Sequence, residues 1–287
     1  MVKAHPTDFD PASLDRAELF SFFKEKLKDV YRAPGRIAID QYGLIVVGGQ
    51  ALSLWAREYL LDEMTGKEIQ FSTSDDLDFI GRNHTAADYC GEVLDIAFRK
   101  ATDYEVTPNL AVAEIAWDND TKLVVDILES IAGVSTEEIY SHLESVTIDN
   151  VTIAVIDPIS CLKSRLYNLY APWCQDPERE RIRTNLAIRA SRYYLLDVLE
   201  QEGYPGVRSQ LKRLYRLAVS RLGKRAYCEY GVDVLQAFPR SEDGASAPEE
   251  YFRLELPRLY REVSERRARL AKHHERFGIT VKYQPLN

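Results

Sequence analysis

Asp76 and Asp78 stand two residues apart in the run Ser74-Asp75-Asp76-Leu77-Asp78-Phe79. A period of two places both carboxylates on one face of an extended segment, with Leu77 and Phe79 on the other. Neighbouring carboxylates repel, and one use for such a pair is to share divalent metal through hard oxygen ligands. Upstream, the apolar run Leu44-Ile45-Val46-Val47 leads into Gly48-Gly49-Gln50-Ala51-Leu52. A strand that enters a glycine pair and then a helix lets backbone N–H groups approach a phosphate where a side chain would obstruct it. Glycine turn and acids together describe a site for a nucleoside triphosphate.

Metals that activate a hydroxyl and stabilise a leaving pyrophosphate need a further carboxylate nearby. Val124-Val125-Asp126-Ile127-Leu128 supplies it. An aspartate inside an otherwise apolar strand costs stability unless it has a partner or a metal. Glu129, at the strand's end, is expected to face solvent. Each feature also has a plainer reading. The acids could be a surface turn, the glycines a tight turn without ligand, and Asp126 an edge residue facing water. Ser72, Thr73 and Ser74 could bind phosphate oxygens or form a polar loop. The functional reading gains from all three features occurring in one order along the chain.

The elements that must position these residues can be read from periodicity. Leu14, Leu19, Phe22, Phe23, Leu27 and Val30 predict an amphipathic helix over 12–32, capped by Ser13 and ended by Pro34-Gly35. A buried strand is expected at 44–47, a helix at 50–62, a loop or short hairpin at 63–75 and a strand at 76–80. A helix at 85–99 buries Cys90, Val93, Leu94, Ile96 and Ala97. Ala111–Trp117 and Thr121–Leu128 read as a hairpin around Asp118-Asn119-Asp120. A short helix begins near Thr136, and Asp149-Asn150 joins two further strands in a tight hairpin. After Pro158 the pattern is helical: 159–170, 178–202, 207–222, 225–237 and 248–276, with a loop over Ser241–Pro248. These patterns predict an α/β (α+β) domain with a short mixed sheet over residues 1–157, followed by an all-α helical domain over 158–287.

The charge follows the same division. The chain's net charge of −8 is made of −16 over residues 1–159 and +8 over 160–287. A basic half can receive a polyanion, or dock on an acidic surface. Arg179, Arg181, Arg183, Arg189 and Arg192 lie near Tyr193 and Tyr194, a mixture suited to RNA backbone and stacking contacts. The alternation Glu178-Arg179-Glu180-Arg181 equally suits a solvated helix face. Cys90, Cys161, Cys174 and Cys228 form no C-x-x-C pair, so neither a zinc cluster nor a disulfide framework is expected. His273-His274 reads as surface. No apolar run reaches membrane-spanning length and no signal segment follows Met1, so a cytoplasmic protein with no membrane partner is expected.

A glycine pair, a helix, Asp-x-Asp on a strand and a lone Asp on a later strand resemble the DNA polymerase β-type nucleotidyltransferase superfamily. The resemblance covers the first half of the chain through Gly48, Gly49, Asp76, Asp78 and Asp126. It implies that the glycines open the phosphate-binding helix and that Asp76 and Asp78 bind two Mg²⁺ ions. Asp126 would bind one of these and act on the attacking hydroxyl. Within the superfamily the chain looks most like the AbiEii-type toxins of type IV toxin–antitoxin pairs. The features shared are Gly-Gly-x-Ala-Leu, the small hydroxyl Ser74 before the first acid, and a helical half opened by Leu162-Lys163-Ser164-Arg165. That resemblance assigns Ser74 and Lys163 to nucleotide binding. Three features depart: the segment between the glycines and the aspartates is longer than in minimal members of the superfamily, and two more concern the toxin pattern. Ser72 stands where an arginine is frequent, and the later Lys-Asp-x-x-Asp pattern is reduced to Asp197.

The resemblance implies an RNA acceptor, tRNA above all, and a cognate antitoxin as partner. A small molecule such as an aminoglycoside, or a protein side chain, is the alternative acceptor, to which the acidic half is suited. A third reading is a nucleotide-binding protein without turnover.

Overall fold

A computed structural model describes residues 15–33, 36–102, 104–118 and 121–278. Ser13, Pro34-Gly35 and most of the Asp118-Asn119-Asp120 turn lie outside these, together with the structural expectations attached to them. The chain divides into two compact units, one of 1–54 with 69–157 and the other of 55–68 with 158–287.

The first unit opens with α1 (Arg16–Tyr31), which buries Leu19, Phe23, Leu27 and Val30 at helical spacing. Each such burial contributes roughly 2 kcal/mol before conformational entropy is subtracted. Asp15 caps the helix, its Oδ1 accepting from the N–H groups of Ala17 at 2.8 Å and Glu18 at 3.2 Å. There follow α2 (Ile37–Asp40), β1 (Ile45–Val46), α3 (Gly48–Leu60), α4 (Gly66–Ser72), β2 (Asp76–Ile80), α5 (His84–Leu94), β3 (Arg99–Lys100), β4 (Asn109–Ala116), β5 (Lys122–Leu128), α6 (Thr136–Ser141), β6 (Leu143–Ile148) and β7 (Val151–Ile156).

The strands form a seven-stranded sheet in the order β3-β4-β5-β2-β1-β7-β6. It is mixed: β2 pairs with β5 in parallel, β1 with β7 in parallel, and β1 with β2 antiparallel. The mixed sheet expected from the sequence is thus present, with seven strands. Between β6 and β7, Asp149 and Asn150 both take positive φ, 48° and 66°, the geometry that lets a two-residue turn follow the strand twist. Lys24 and Lys28 of α1 pair with the Asp149 carboxylate at 3.2 and 3.0 Å.

Two local expectations need correction. The 63–75 stretch contains α4, opened by a reciprocal cap. The Glu68 N–H donates to Thr65 Oγ1 at 3.3 Å and the Thr65 N–H to Glu68 Oε2 at 2.8 Å. The helix expected to reach 99 ends at Leu94, where Asp95 turns left-handed at φ 53°, leaving Ala97 exposed.

The second unit is helical: α7 (Pro158–Asn168), α8 (Pro177–Val219), α9 (Arg221–Tyr230), a 3-10 turn at Val234–Ala237, a π-helical turn at Tyr251–Glu255 and α10 (Leu256–Arg276). The two helices expected at 178–202 and 207–222 are both found, on either side of a break in α8. The break is at Gly203, which leaves helical geometry at φ 71°, two residues before Pro205. The helix expected over 225–237 ends at Tyr230 with left-handed Gly231, and the 3-10 turn follows. Buried charges are paired: Arg267 bonds Asp233 at 2.6 Å while lying 4.0 Å from the Tyr227 ring centroid. His274, expected at the surface, is buried 3.8 Å from Glu229. No helix among the described residues is long and apolar enough to cross a membrane.

Candidate functional site

β2 alternates as its sequence requires. Leu77 and Phe79 are fully buried on one face, while Asp76 and Asp78 are half-buried on the other. In the parallel ladder with β5, Asp76 stands opposite Val124, and Asp78 opposite Asp126. Paired residues of adjacent strands share a face, so the three carboxylates Asp76, Asp78 and Asp126 lie on the same side of the sheet.

Each acid has a partner close at hand. Ser74 Oγ donates to Asp76 Oδ1 at 2.6 Å. Asn109 Nδ2 donates to Asp126 Oδ1 at 2.9 Å, and Asp126 is buried. Asp75, the remaining acid of the run, pairs with Arg16 of α1.

Gly48 and Gly49 begin α3 at the end of β1, where the Val47 N–H donates to the Asp78 carbonyl at 3.0 Å. Gly48 has φ +63°, and a Cβ on it would lie 2.0 Å from Asp78 Oδ2. A Cβ on Gly49 would lie 2.1 Å from Ser74 Oγ. The glycine pair therefore makes room for the acidic strand itself, and sets the Asp78 carboxylate against the first turn of a 13-residue helix. The positive end of the helix dipole favours negative charge there. Ser53, one turn further on, ties α3 to the end of α4. Its Oγ donates toward the Gly49 carbonyl at 3.0 Å and the Ser72 carbonyl at 2.6 Å.

Three residues of this region carry weight that the sequence reading did not give them. Asn109 reaches Asp126 from a position where the β4–β5 register shifts between Asn109 and Ala111. A bulge of this kind re-aims a side chain. Gln50 is fully buried beside the glycines, and neither of its amide atoms has a hydrogen-bond partner among the described residues. Asp157 is fully buried at the end of β7 and immediately precedes Pro158, a composition suited to starting α7. Lys163 is half-buried on α7, in the second unit.

The donor set suits a hard divalent cation: carboxylate oxygens on one face, beside the start of a helix. Among the described residues, no group of three or more His, Cys, Asp and Glu side chains is gathered closely enough to hold a metal. The three acids thus share a face while each is held by its own neighbour. Elsewhere in the unit, burial pushes the Cys90 thiol up to about 12 and raises the Tyr31 hydroxyl well above its ordinary value.

No family model and no curated protein matches the sequence. Among solved structures, the antibiotic-resistance factor ANT(2'')-Ia aligns over 67% of this chain and 96% of its own, at 15% identity and a TM-score of 0.39. An antigenic nucleotidyltransferase-like protein from Paracoccidioides brasiliensis aligns over 70% and 94%, at 12% identity and a TM-score of 0.38. The Megavirus polyadenylate synthase aligns over 81% of this chain and 53% of its own, at 13% identity and a TM-score of 0.34.

Proposed function

We propose that the chain is a nucleotidyltransferase that moves a nucleoside monophosphate from a nucleoside triphosphate to an acceptor hydroxyl. The observation that carries this reading is the register that sets Asp78 opposite Asp126 with Asp76 on the same face. Asp76, Asp78 and Asp126 would hold two Mg²⁺ ions. When bound, these offset charge on the triphosphate and on the leaving pyrophosphate.

The chain's own residues do the rest. The first turn of α3 would bind phosphate through its backbone N–H groups. Ser74 fixes the Asp76 carboxylate and can donate to a phosphate oxygen when it turns. Asn109 holds Asp126 so that its second oxygen faces the acceptor hydroxyl and takes its proton. The freed oxygen attacks the α-phosphorus in line, the bond to the β-phosphate oxygen breaks, and pyrophosphate leaves. The toxin resemblance also assigns Lys163 to the triphosphate, where its ammonium would neutralise the leaving group.

The acceptor favoured by the toxin resemblance is RNA, tRNA above all, which makes the protein one half of a toxin–antitoxin pair acting in the cytoplasm. A small-molecule or protein acceptor has support of its own in the second unit. There Arg181, Arg189, Arg192, Arg225 and Arg267 each bond a carboxylate of the same unit, so much of the basic excess is already neutralised.

The test is incubation with Mg²⁺, each α-labelled nucleoside triphosphate in turn, and total RNA. Label on a tRNA-sized band, absent with Asp78→Ala, supports the RNA reading and names the nucleotide. Label only on an added aminoglycoside or on protein moves the acceptor to the alternative.

A further inference from the structure

The second unit has a groove of its own, about 330 Å³ in volume, between the part of α8 beyond Gly203 and the Tyr251–Glu255 turn that opens α10. That is at the lower end of the range for ligand pockets. From α8 the groove takes Tyr204, Arg208, Lys212 and Tyr215, which share one helix face. From the opposite side come Tyr251, Glu255, Arg258 and Glu262.

The carboxylates in the groove are already engaged. Tyr204 donates to Glu255 at 2.7 Å. Glu262 accepts from Tyr215, and from Arg266 at 2.7 Å. Burial and the Glu255 carboxylate push the Tyr204 hydroxyl up to about 12, so it remains a donor. With both acids taken, Arg208, Lys212 and Arg258 have no ion pair among the described residues. Three cations against the two carboxylates Glu255 and Glu262 leave the groove with a positive excess, and a phosphate offers acceptor oxygens to both arginine forks and a lysine. Beside them the rings of Tyr204 and Tyr251 form an aromatic corner, with centroids 5.6 Å apart and planes tilted 53°. Tyr251 is buried, its hydroxyl donating to the Pro239 carbonyl at 3.2 Å, so it backs the half-buried Tyr204, whose ring is the one open to a planar heterocycle. A π-helical turn at this place is a further mark, since these irregular turns cluster at functional sites.

We propose that this groove is a nucleoside monophosphate site, with the phosphate on Arg208, Lys212 and Arg258 and the base against Tyr204. It does not depend on the Asp76/Asp78/Asp126 reading, because it needs neither metal nor those carboxylates.

The test is equilibrium binding of adenosine and uridine 5′-monophosphates to the full chain in excess EDTA, with inorganic phosphate as competitor. Saturable binding is expected, within twofold of wild type in Asp78→Asn. It should weaken at least tenfold in the triple variant Arg208→Gln, Lys212→Gln, Arg258→Gln. All three positions are exposed, so an unchanged melting curve is expected for that variant. Tyr204→Leu, at a half-buried position, provides a second arm, weakening nucleotide binding more than that of phosphate. The proposal is overturned by absence of saturable binding, by a triple variant that binds as well as wild type, or by phosphate binding as tightly as the nucleotides.

Discussion

The side chain of Asp78 occupies the space a side chain on Gly48 would need: a Cβ there would sit 2.0 Å from Asp78 Oδ2. The positive φ of Gly48 adds a backbone penalty for any other residue. Gly48→Ala should therefore cost at least ~1–2 kcal/mol from backbone conformation alone, and should displace the Asp78 carboxylate. A lowered melting temperature together with loss of Mg²⁺-dependent triphosphate binding is expected; a variant with wild-type melting and wild-type triphosphate binding would refute it.

Gly49 is bound to Ser74 in the same way, but without backbone strain. Its absent Cβ would meet Ser74 Oγ at 2.1 Å and Ser74 Cβ at 2.8 Å, while Ser74 Cα stands at an ordinary 3.6 Å. Gly49→Ala should destabilise the protein by about 1–3 kcal/mol through overpacking. Adding Ser74→Gly should recover most of that loss. Chemical denaturation of the single and double variants reads the coupling directly.

Asn109→Asp exchanges a donor for a second carboxylate beside buried Asp126. The variant should be less stable than wild type at pH 7, where both acids carry charge, and the gap should narrow at pH 5 as one of the pair takes a proton. Asn109→Leu, which only removes the donor, should cost about 1–2 kcal/mol with little change between those pH values. Urea titrations at both pH values separate the two.

In the second unit, the Tyr193 hydroxyl, and then Arg189, hold the Glu63 carboxyl below its ordinary value. A depressed carboxyl stabilises the folded state above its ordinary value and loses that contribution as pH falls through the folded one. Tyr193→Phe should accordingly lower stability above about pH 4.5 and leave it unchanged in stronger acid, by less than about 1 kcal/mol for so exposed a pair. A pH series of melting temperatures tests the sign.

Cys90 is fully buried with its thiol pushed up to about 12. Cys174 is half-buried. Brief alkylation of the native protein at pH 8, read by mass spectrometry, should mark Cys174 before Cys90.

The acidic face was legible because a period of two is local: Asp76 and Asp78 share a side whatever pairs with the strand. Asp126 stood out as one charge in an apolar run. Its partner did not, because Asn109 is brought to it by a bulge between strands, which leaves no mark on either strand alone. α4 did leave a mark, the Thr65-x-x-Glu68 cap, outweighed by the polar composition around it. The Gly203–Pro205 break in α8 was readable from residue type, whereas the π-helical turn at Tyr251 was not. The arginine-rich helices show why composition misleads about partners. Arg192 bonds Asp243, 51 residues away, and no local pattern could separate that pairing from a surface awaiting RNA.

The measurement that tests the central claim most directly is Mg²⁺-dependent transfer from an α-labelled nucleoside triphosphate by wild type, Asp76→Asn and Asp78→Asn, each first shown to melt as wild type does. The account predicts transfer by wild type and a loss of at least a hundredfold in both variants. Transfer retained in both would contradict it.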